Sequence, residues 1–268
     1  MLIREAAVAG QFYPGNAGEL RKVVEALVQK PETLMDAKGI VVPHAGYVYS
    51  GSVAGKVFSS VRLHKKCIIL GPNHSGRGPA LAISPAGAWR TPLGMTTVDP
   101  DMNRDLMDAC PGLQEDSSAH RSEHCLEVQI PFLQVLQPDF SFSAICVRTA
   151  NYRDLEALGH AMAHVVRAGQ EPVLLVASSD MTHYENADTA ARQDQLAIDR
   201  VLAVDPVGLY RVVLENDITM CGFAPTVAVL VACADLGATS GRLIEYTNSG
   251  AASGDYDRVV AYAGMAVA

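Results

Sequence analysis

Short apolar runs alternate with amphipathic segments along most of the chain. The apolar runs predict buried strands, and the segments with apolar residues near helical spacing predict helices. The predicted strands are Gly39–Val42, Lys66–Leu70, Ala80–Ser84, Ser141–Val147, Pro172–Ala177, Arg242–Asn248 and Asp257–Ala266. The predicted helices are Ser52–Leu63, Pro100–Ala109, Ser122–Leu136, Arg153–Ala168, Asn186–Ala203, Pro206–Glu215 and Phe223–Leu236.

This alternation predicts an α/β fold, a three-layer αβα sandwich around a mostly parallel sheet. The nearly continuous apolar run Pro172–Ala177 is typical of a parallel strand that helices cover on both faces. The turn residues of Trp89–Gly94 predict a loop or a short hairpin. Because the sequence shows no repeat or linker, we expect a single domain over residues 1–268.

Composition narrows the class of protein. Of the 268 residues, 49% are hydrophobic and 19% charged, so a large core is expected. The net charge of -8 and the lack of a basic run argue against a nucleic-acid partner. No apolar stretch approaches the about 20 residues that span a bilayer, and the early charges Arg4 and Glu5 argue against a secretory signal. We therefore expect a cytoplasmic protein whose six cysteines are thiols.

Three short loops that follow apolar runs each end on a histidine. His44 and His74 lie in loops with glycine and proline, and His183 lies after the Pro172–Ala177 strand. Ligands of open α/β sheets bind beyond the carboxyl ends of the strands, where these imidazoles would converge. The pattern indicates a metal or acid/base site, although a loop histidine can also simply bind backbone groups.

Asp180 lies three residues before His183, and this spacing allows two interpretations. A carboxylate beside an imidazole fixes its tautomer and raises its basicity, as acid/base chemistry requires. Alternatively, Asp180 or Ser179 caps a short helical turn and His183 is merely exposed. The local pattern favours neither interpretation.

Cys221 precedes the predicted helix Phe223–Leu236. A cysteine near a helix N-terminus is expected to have a lowered pKa and more thiolate character. A buried, inert thiol is the alternative from the residues alone. The cluster His120, Glu123, His124 and Glu127 is expected at a solvated or site-bordering helix start, and it lacks the His-Glu-x-x-His spacing of a zinc protease.

Several of these segments together resemble the Memo family, whose prokaryotic members are often named AmmeMemoRadiSam system protein B. The segments that carry the resemblance are Arg4–Pro14, Val42–Tyr47, Gly71–His74, Glu123–Leu133, Ser178–Tyr184 and Cys221-Gly222. The family is similar in fold to class III extradiol ring-cleavage dioxygenases, which hold Fe(II) with two histidines and a glutamate and use a further histidine as acid/base.

The resemblance implies a role for each candidate residue. His44 and His74 would be the imidazole ligands of a metal, and Cys221 stands where those dioxygenases have a carboxylate. His183 would be the acid/base residue, with Asp180 beside it. A thiolate makes the site softer, so iron or copper is expected and zinc is possible, while ring cleavage itself becomes less expected. Phe12, Tyr49 and His124 would line the pocket unless they are packing residues.

Three functions follow as hypotheses. The first is a metal-binding protein with a redox-type site and an unknown small-molecule substrate. The second is a dioxygenase-like oxidoreductase acting on a small aromatic or related substrate, and the third is a non-enzymatic module whose pocket binds a partner. The family name further implies a radical-SAM protein and another small domain of the AmmeMemoRadiSam system as partners.

Overall fold

A computed structural model describes residues 2–29 and 31–268. In this part of the chain, twelve strands form one sheet. They are β1 (Leu2–Arg4), β2 (Gly39–Val42), β3 (Lys66–Pro72), β4 (Leu81–Ile83), β5 (Gly87–Thr91), β6 (Gly94–Val98), β7 (Leu113–Glu115), β8 (Ser141–Val147), β9 (Val173–Ser178), β10 (His183–Glu185), β11 (Gly241–Asn248) and β12 (Val259–Val267).

Helices connect most of the strands. They are α1 (Ala17–Leu27), α2 (Tyr47–Ser60), α3 (Pro100–Ala109), α4 (Ile130–Leu136), α5 (Tyr152–Ala168), α6 (Ala187–Leu202), α7 (Pro206–Glu215), α8 (Phe223–Asp235) and the short α9 (Gly250–Ser253). None of the helices described here is long and apolar enough to cross a membrane.

The centre of the sheet is parallel and its margins are partly antiparallel. Strands β6, β8, β3, β9 and β2 are neighbours in that order and run parallel. Strand β12 pairs antiparallel with β2, and β11 and β10 pair antiparallel with β12. Since β3, β9 and β2 are neighbours, the loops that follow their carboxyl ends start at one edge of the sheet.

The two faces of the sheet carry separate hydrophobic cores. Along β3, Ile68 and Leu70 contribute to the core that contains α3 and α5–α8, whereas Cys67 and Ile69 contribute to the core that contains α1, α2 and α4. This alternation follows from the period of two in a strand. Helices thus cover both faces of the sheet, and the predicted three-layer αβα sandwich is confirmed.

Most predicted elements are present, but the predicted helix Ser122–Leu136 is wrong over its first half. Residues 120–126 form turns and irregular loop, a 3-10 turn covers Glu127–Gln129, and α4 begins only at Ile130. Pro131 lies in the first turn of α4, where a residue without an N–H is tolerated. Before it, the carboxylates of Glu123 and Glu127 bind backbone N–H groups of other segments.

Candidate metal centre

Three side chains from separate loops meet at this edge of the sheet. His44 follows β2, His74 follows β3, and Cys221 precedes α8. One potential ligand atom from each of the three lies within 4.8 Å of the other two. His44 Nε2 is 3.2 Å from Cys221 Sγ, and the two imidazole centroids are 5.3 Å apart. The structure therefore brings together the three residues that the resemblance assigned to a metal.

The tautomer of His44 follows from its hydrogen bonds. Its Nδ1 lies 3.0 Å from Ser178 Oγ. That hydroxyl donates its single hydrogen to the carbonyl of Cys125 and accepts from Gln129 Nε2. The Nδ1 of His44 must therefore carry a hydrogen and donate, which leaves the Nε2 lone pair facing Cys221. Burial lowers the pKa of His44 to about 3, so this imidazole is neutral at neutral pH, as a metal ligand must be.

His74 is held by Glu123 in the same tautomer. The Glu123 carboxylate accepts from the backbone N–H of His74 at 2.7 Å and from its Nδ1 at 2.8 Å. Although burial alone would raise the pKa of Glu123, its hydrogen bond with His74 holds that pKa well below the usual range. A carboxylate only accepts, so Nδ1 carries the hydrogen and Nε2 of His74 is free for a ligand.

Cys221 reaches the site because glycine follows it. A Cβ at Gly222 would collide with the carbonyl of Ser178 and the side chain of Ser179, so only glycine allows this approach. Burial, together with the charge of Asp180, raises the pKa of the Cys221 thiol. Burial thus acts against the expected thiolate character, because desolvation opposes the effect of the helix N-terminus. A metal ion would have to displace the thiol proton.

Asp180 and His183 do not form the expected carboxylate–imidazole pair. Asp180 Oδ1 accepts the backbone N–H of His44 at 2.7 Å, and so it fixes the loop of a ligand rather than the ring of His183. The ring of His183 uses Nδ1, which lies 3.0 Å from the carbonyl of Thr219. Because a carbonyl only accepts, Nδ1 carries a hydrogen, and Nε2 is the ring nitrogen left to exchange a proton. The capping alternative is wrong as well, because His183–Glu185 form strand β10 instead of a helical turn.

Two further rings, those of His124 and Phe12, lie beside the imidazoles of His44 and His74. His124 stacks on His74 with centroids 4.6 Å apart, and it meets His44 edge-on at 5.4 Å. Phe12 lies against His124 at 4.7 Å. Burial lowers the pKa of His124 to about 4, so this ring is neutral too. Tyr49, the third predicted lining residue, lies in the first turn of α2 and is 44% exposed.

The polar cluster around residue 120 has a different role from the one expected. His120 is buried, with Nε2 at 3.2 Å from the carbonyl of Ala82, so the prediction of a solvated or site-bordering position is wrong. Glu123 and Glu127 are also buried and bind backbone N–H groups. Glu123, Ser178 and Gln129 are supporting residues that the sequence reasoning missed. The only available signal was that two glutamates, Glu123 and Glu127, lie before and within the largely apolar run from 125 to 133.

The N-terminal segment is tied to this cluster. The carboxylate of Glu127 accepts the backbone N–H groups of Ala7 and Val8 and the hydroxyl of Tyr13, and it pairs with the guanidinium of Arg4. These contacts explain how the opening segment of the chain comes to place Phe12 beside the site.

Comparisons with known proteins agree with the resemblance in the sequence. A family profile described as Memo-like protein matches residues 4–266. A MEMO1 family protein of Methanopyrus kandleri is 40% identical over 276 residues, which cover 98% of each chain. Another from Aquifex aeolicus is 38% identical over 267 residues, which cover 99% of each chain.

A solved structure shares the fold at low identity. It is an uncharacterized protein of Escherichia coli K12, which superposes with a TM-score of 0.59 at 12% identity and covers 85% of this chain and 98% of its own. At this identity the likeness shows the αβα architecture alone.

Proposed function

The chain belongs to the Memo family, and from that premise and the geometry of the site we propose that it binds one transition-metal ion through His44, His74 and Cys221. Two neutral imidazoles and one thiolate suit iron or copper, with zinc as a further candidate. The observation that carries the proposal is the convergence of the three potential ligand atoms within 4.8 Å. Both imidazoles use Nδ1 in a hydrogen bond and leave Nε2 for a ligand, which supports it.

The donor set also favours an oxidoreductase over a passive binding module. A bound iron or copper ion would supply redox chemistry with a small-molecule substrate. His183 would hold or move a proton at Nε2, because its Nδ1 is committed to the carbonyl of Thr219. Asp180 would keep the His44 loop in place through its bond to the backbone N–H. The radical-SAM protein and the other AmmeMemoRadiSam partner stay predictions, to be tested by co-purification.

The first experiment is elemental analysis of protein purified without oxygen or chelator. We expect near-stoichiometric iron or copper in the wild-type protein and a loss of most of it in Cys221→Ala, because the variant lacks the anionic ligand. Cys233→Ala is the matched control, since Cys233 is buried near the other end of α8. Wild-type protein that is metal-free and fails to take up added Fe(II), Cu(I) or Zn(II) would refute the proposal.

The raised pKa of Cys221 predicts how metal binding depends on pH. The thiol is protonated at neutral pH, whereas the imidazole of His44 is already neutral with a pKa of about 3. Each bound ion must therefore release the thiol proton, and affinity must rise as pH rises. We expect the affinity for Zn²⁺ to increase about tenfold per unit between pH 7 and 8 in the wild type, since one proton is exchanged.

Calorimetric titration in buffers of different ionisation enthalpy would count the released protons. In Cys221→Ala the count should fall by one and the pH dependence should flatten. A count that is the same in both proteins would show that the thiol does not bind the ion.

A further inference from the structure

The backbone is distorted immediately after His183. Tyr184 has a φ of 67°, in the left-handed region that bulky residues rarely adopt. At the same place the pairing of β10 with β12 shifts register between His183 and Glu185, so Tyr184 is the extra residue of a β-bulge. Such conformations are unfavourable and cluster at functional sites, where a bulge redirects a side chain.

The bulge determines where the ring of Tyr184 lies. Consecutive side chains of a regular strand point to opposite faces. Here the Tyr184 ring lies 5.8 Å from the ring of His183, at an angle of 68°. The residue is nevertheless 65% exposed, so the proposed acid/base histidine has a solvent-facing aromatic ring beside it.

A guanidinium group covers this ring. The Cζ atom of Arg258 is 4.9 Å from the centroid of Tyr184. Arg258 is exposed, and it forms no ion pair with any carboxylate among residues 2–29 and 31–268. A stacked guanidinium keeps its N–H groups in a fixed plane, ready to bind carboxylate or phosphate oxygens in pairs.

We infer that Tyr184 and Arg258 recognise a substrate that carries an oxyanion, with its carboxylate or phosphate on Arg258 and its adjoining planar part against Tyr184. The inference rests on the proposed function, because it takes His183 and the candidate metal centre to be the place where this substrate reacts. The chain has a net charge of -8, so an anionic substrate needs a local cation to approach it. The distorted backbone at Tyr184 is then explained as the conformation that sets this pair beside His183.

The probes are benzoate, phenyl phosphate and the neutral benzyl alcohol. Binding to the full chain is measured by ligand-observed NMR titration, once with Zn²⁺ and once in the metal-free protein, because benzoate could also bind zinc directly. We expect both anions to bind more tightly than benzyl alcohol in both forms. The anion that binds more tightly then indicates whether the substrate carries a carboxylate or a phosphate.

The variants separate charge from geometry. Arg258→Gln should weaken binding of the preferred anion about tenfold, as expected for a hydrogen-bonded charge pair. Arg258→Lys keeps the charge but not the planar guanidinium, so it should lose less anion affinity than Arg258→Gln does. Arg21→Gln is the matched control: Arg21 is an exposed residue of α1, and this variant, which changes net charge equally, should bind like the wild type.

Tyr184→Asn tests the role of the strained residue, because asparagine tolerates positive φ far better than tyrosine. We expect an unfolding midpoint equal to or above that of the wild type, together with a several-fold loss of anion affinity. A lower midpoint with unchanged anion affinity would mean that Tyr184 has only a structural role and would overturn the inference.

Two further results overturn it as well: anions that bind no better than benzyl alcohol, and an Arg258→Gln variant that binds them like the wild type. Failure of the proposed function is distinguishable from these results. If only the proposed function fails, the wild-type protein takes up no metal, yet anion binding to the metal-free protein still depends on Arg258.

Discussion

Replacing Glu127 with glutamine is expected to lower the free energy of unfolding by about 3–5 kcal/mol, the usual effect of removing one partner of a buried ion pair. The carboxylate is buried and binds the guanidinium of Arg4, two backbone N–H groups and the hydroxyl of Tyr13. An amide keeps the volume but loses the charge, and its NH₂ group faces other donors. Arg4 is then left without a counter-ion where water reaches it poorly.

Urea unfolding followed by fluorescence measures this loss. Trp89, the only tryptophan in the sequence, is a suitable reporter, because the guanidinium of Arg4 lies 4.2 Å from its ring centroid. The matched control is Glu245→Gln, which breaks a half-buried pair with Lys56 and should cost about 1 kcal/mol or less. Equal losses in the two variants would show that the Glu127 network contributes no more than a surface pair.

The positions of His44 and His74 just beyond strand ends could be predicted because they depend on local sequence patterns. Apolar runs identify the strands, and residues just beyond parallel strands share one edge of the sheet. Whether two such loops are neighbours depends on strand order, which the sequence pattern does not contain. Here β3, β9 and β2 are adjacent, and this order brings His44 and His74 together.

Cys221 shows where local patterns stop being sufficient. It follows no strand, and its position depends on the close approach of Gly222 to Ser178 and Ser179, which lie more than 40 positions earlier in the chain. Its pKa could not be predicted from the helix N-terminus either, because burial by distant segments decides it. The position before a helix drew attention to this residue, but only the resemblance to a family assigned it to a metal.

The segment from Ser122 to Leu136 was mispredicted for a related reason. Its apolar residues have near-helical spacing, but Glu123 and Glu127 bind backbone groups of the His74 loop and of the N-terminal segment. Those tertiary bonds outweigh the helical preference of the isolated segment. The same bonds turn two seemingly solvated glutamates into supports of the candidate site.

Replacing Glu123 with glutamine is expected to weaken metal binding about 10- to 100-fold, the usual effect of losing the partner that orients a ligand. In the wild type, the Glu123 carboxylate accepts from Nδ1 of His74 and from the backbone N–H groups of His74, His124 and Cys125. Glutamine retains one acceptor oxygen, but it lacks the charge that makes His74 a stronger ligand, and its NH₂ group opposes the remaining donors.

Glu123 and Glu127 serve as controls for each other, because they lie four residues apart and are both buried. They differ in the groups that they bind: Glu123 binds His74, and Glu127 binds the N-terminal segment. Competition with a zinc chelator, well below the unfolding midpoint of each variant, should show weakened binding in Glu123→Gln and near wild-type binding in Glu127→Gln. Unfolding should show the larger loss in Glu127→Gln. Glu123 then acts on the metal through the orientation and basicity of His74, and not through general stability. Wild-type affinity in Glu123→Gln would contradict this, and it would mean that Nε2 of His74 is aligned by the fold of its loop alone.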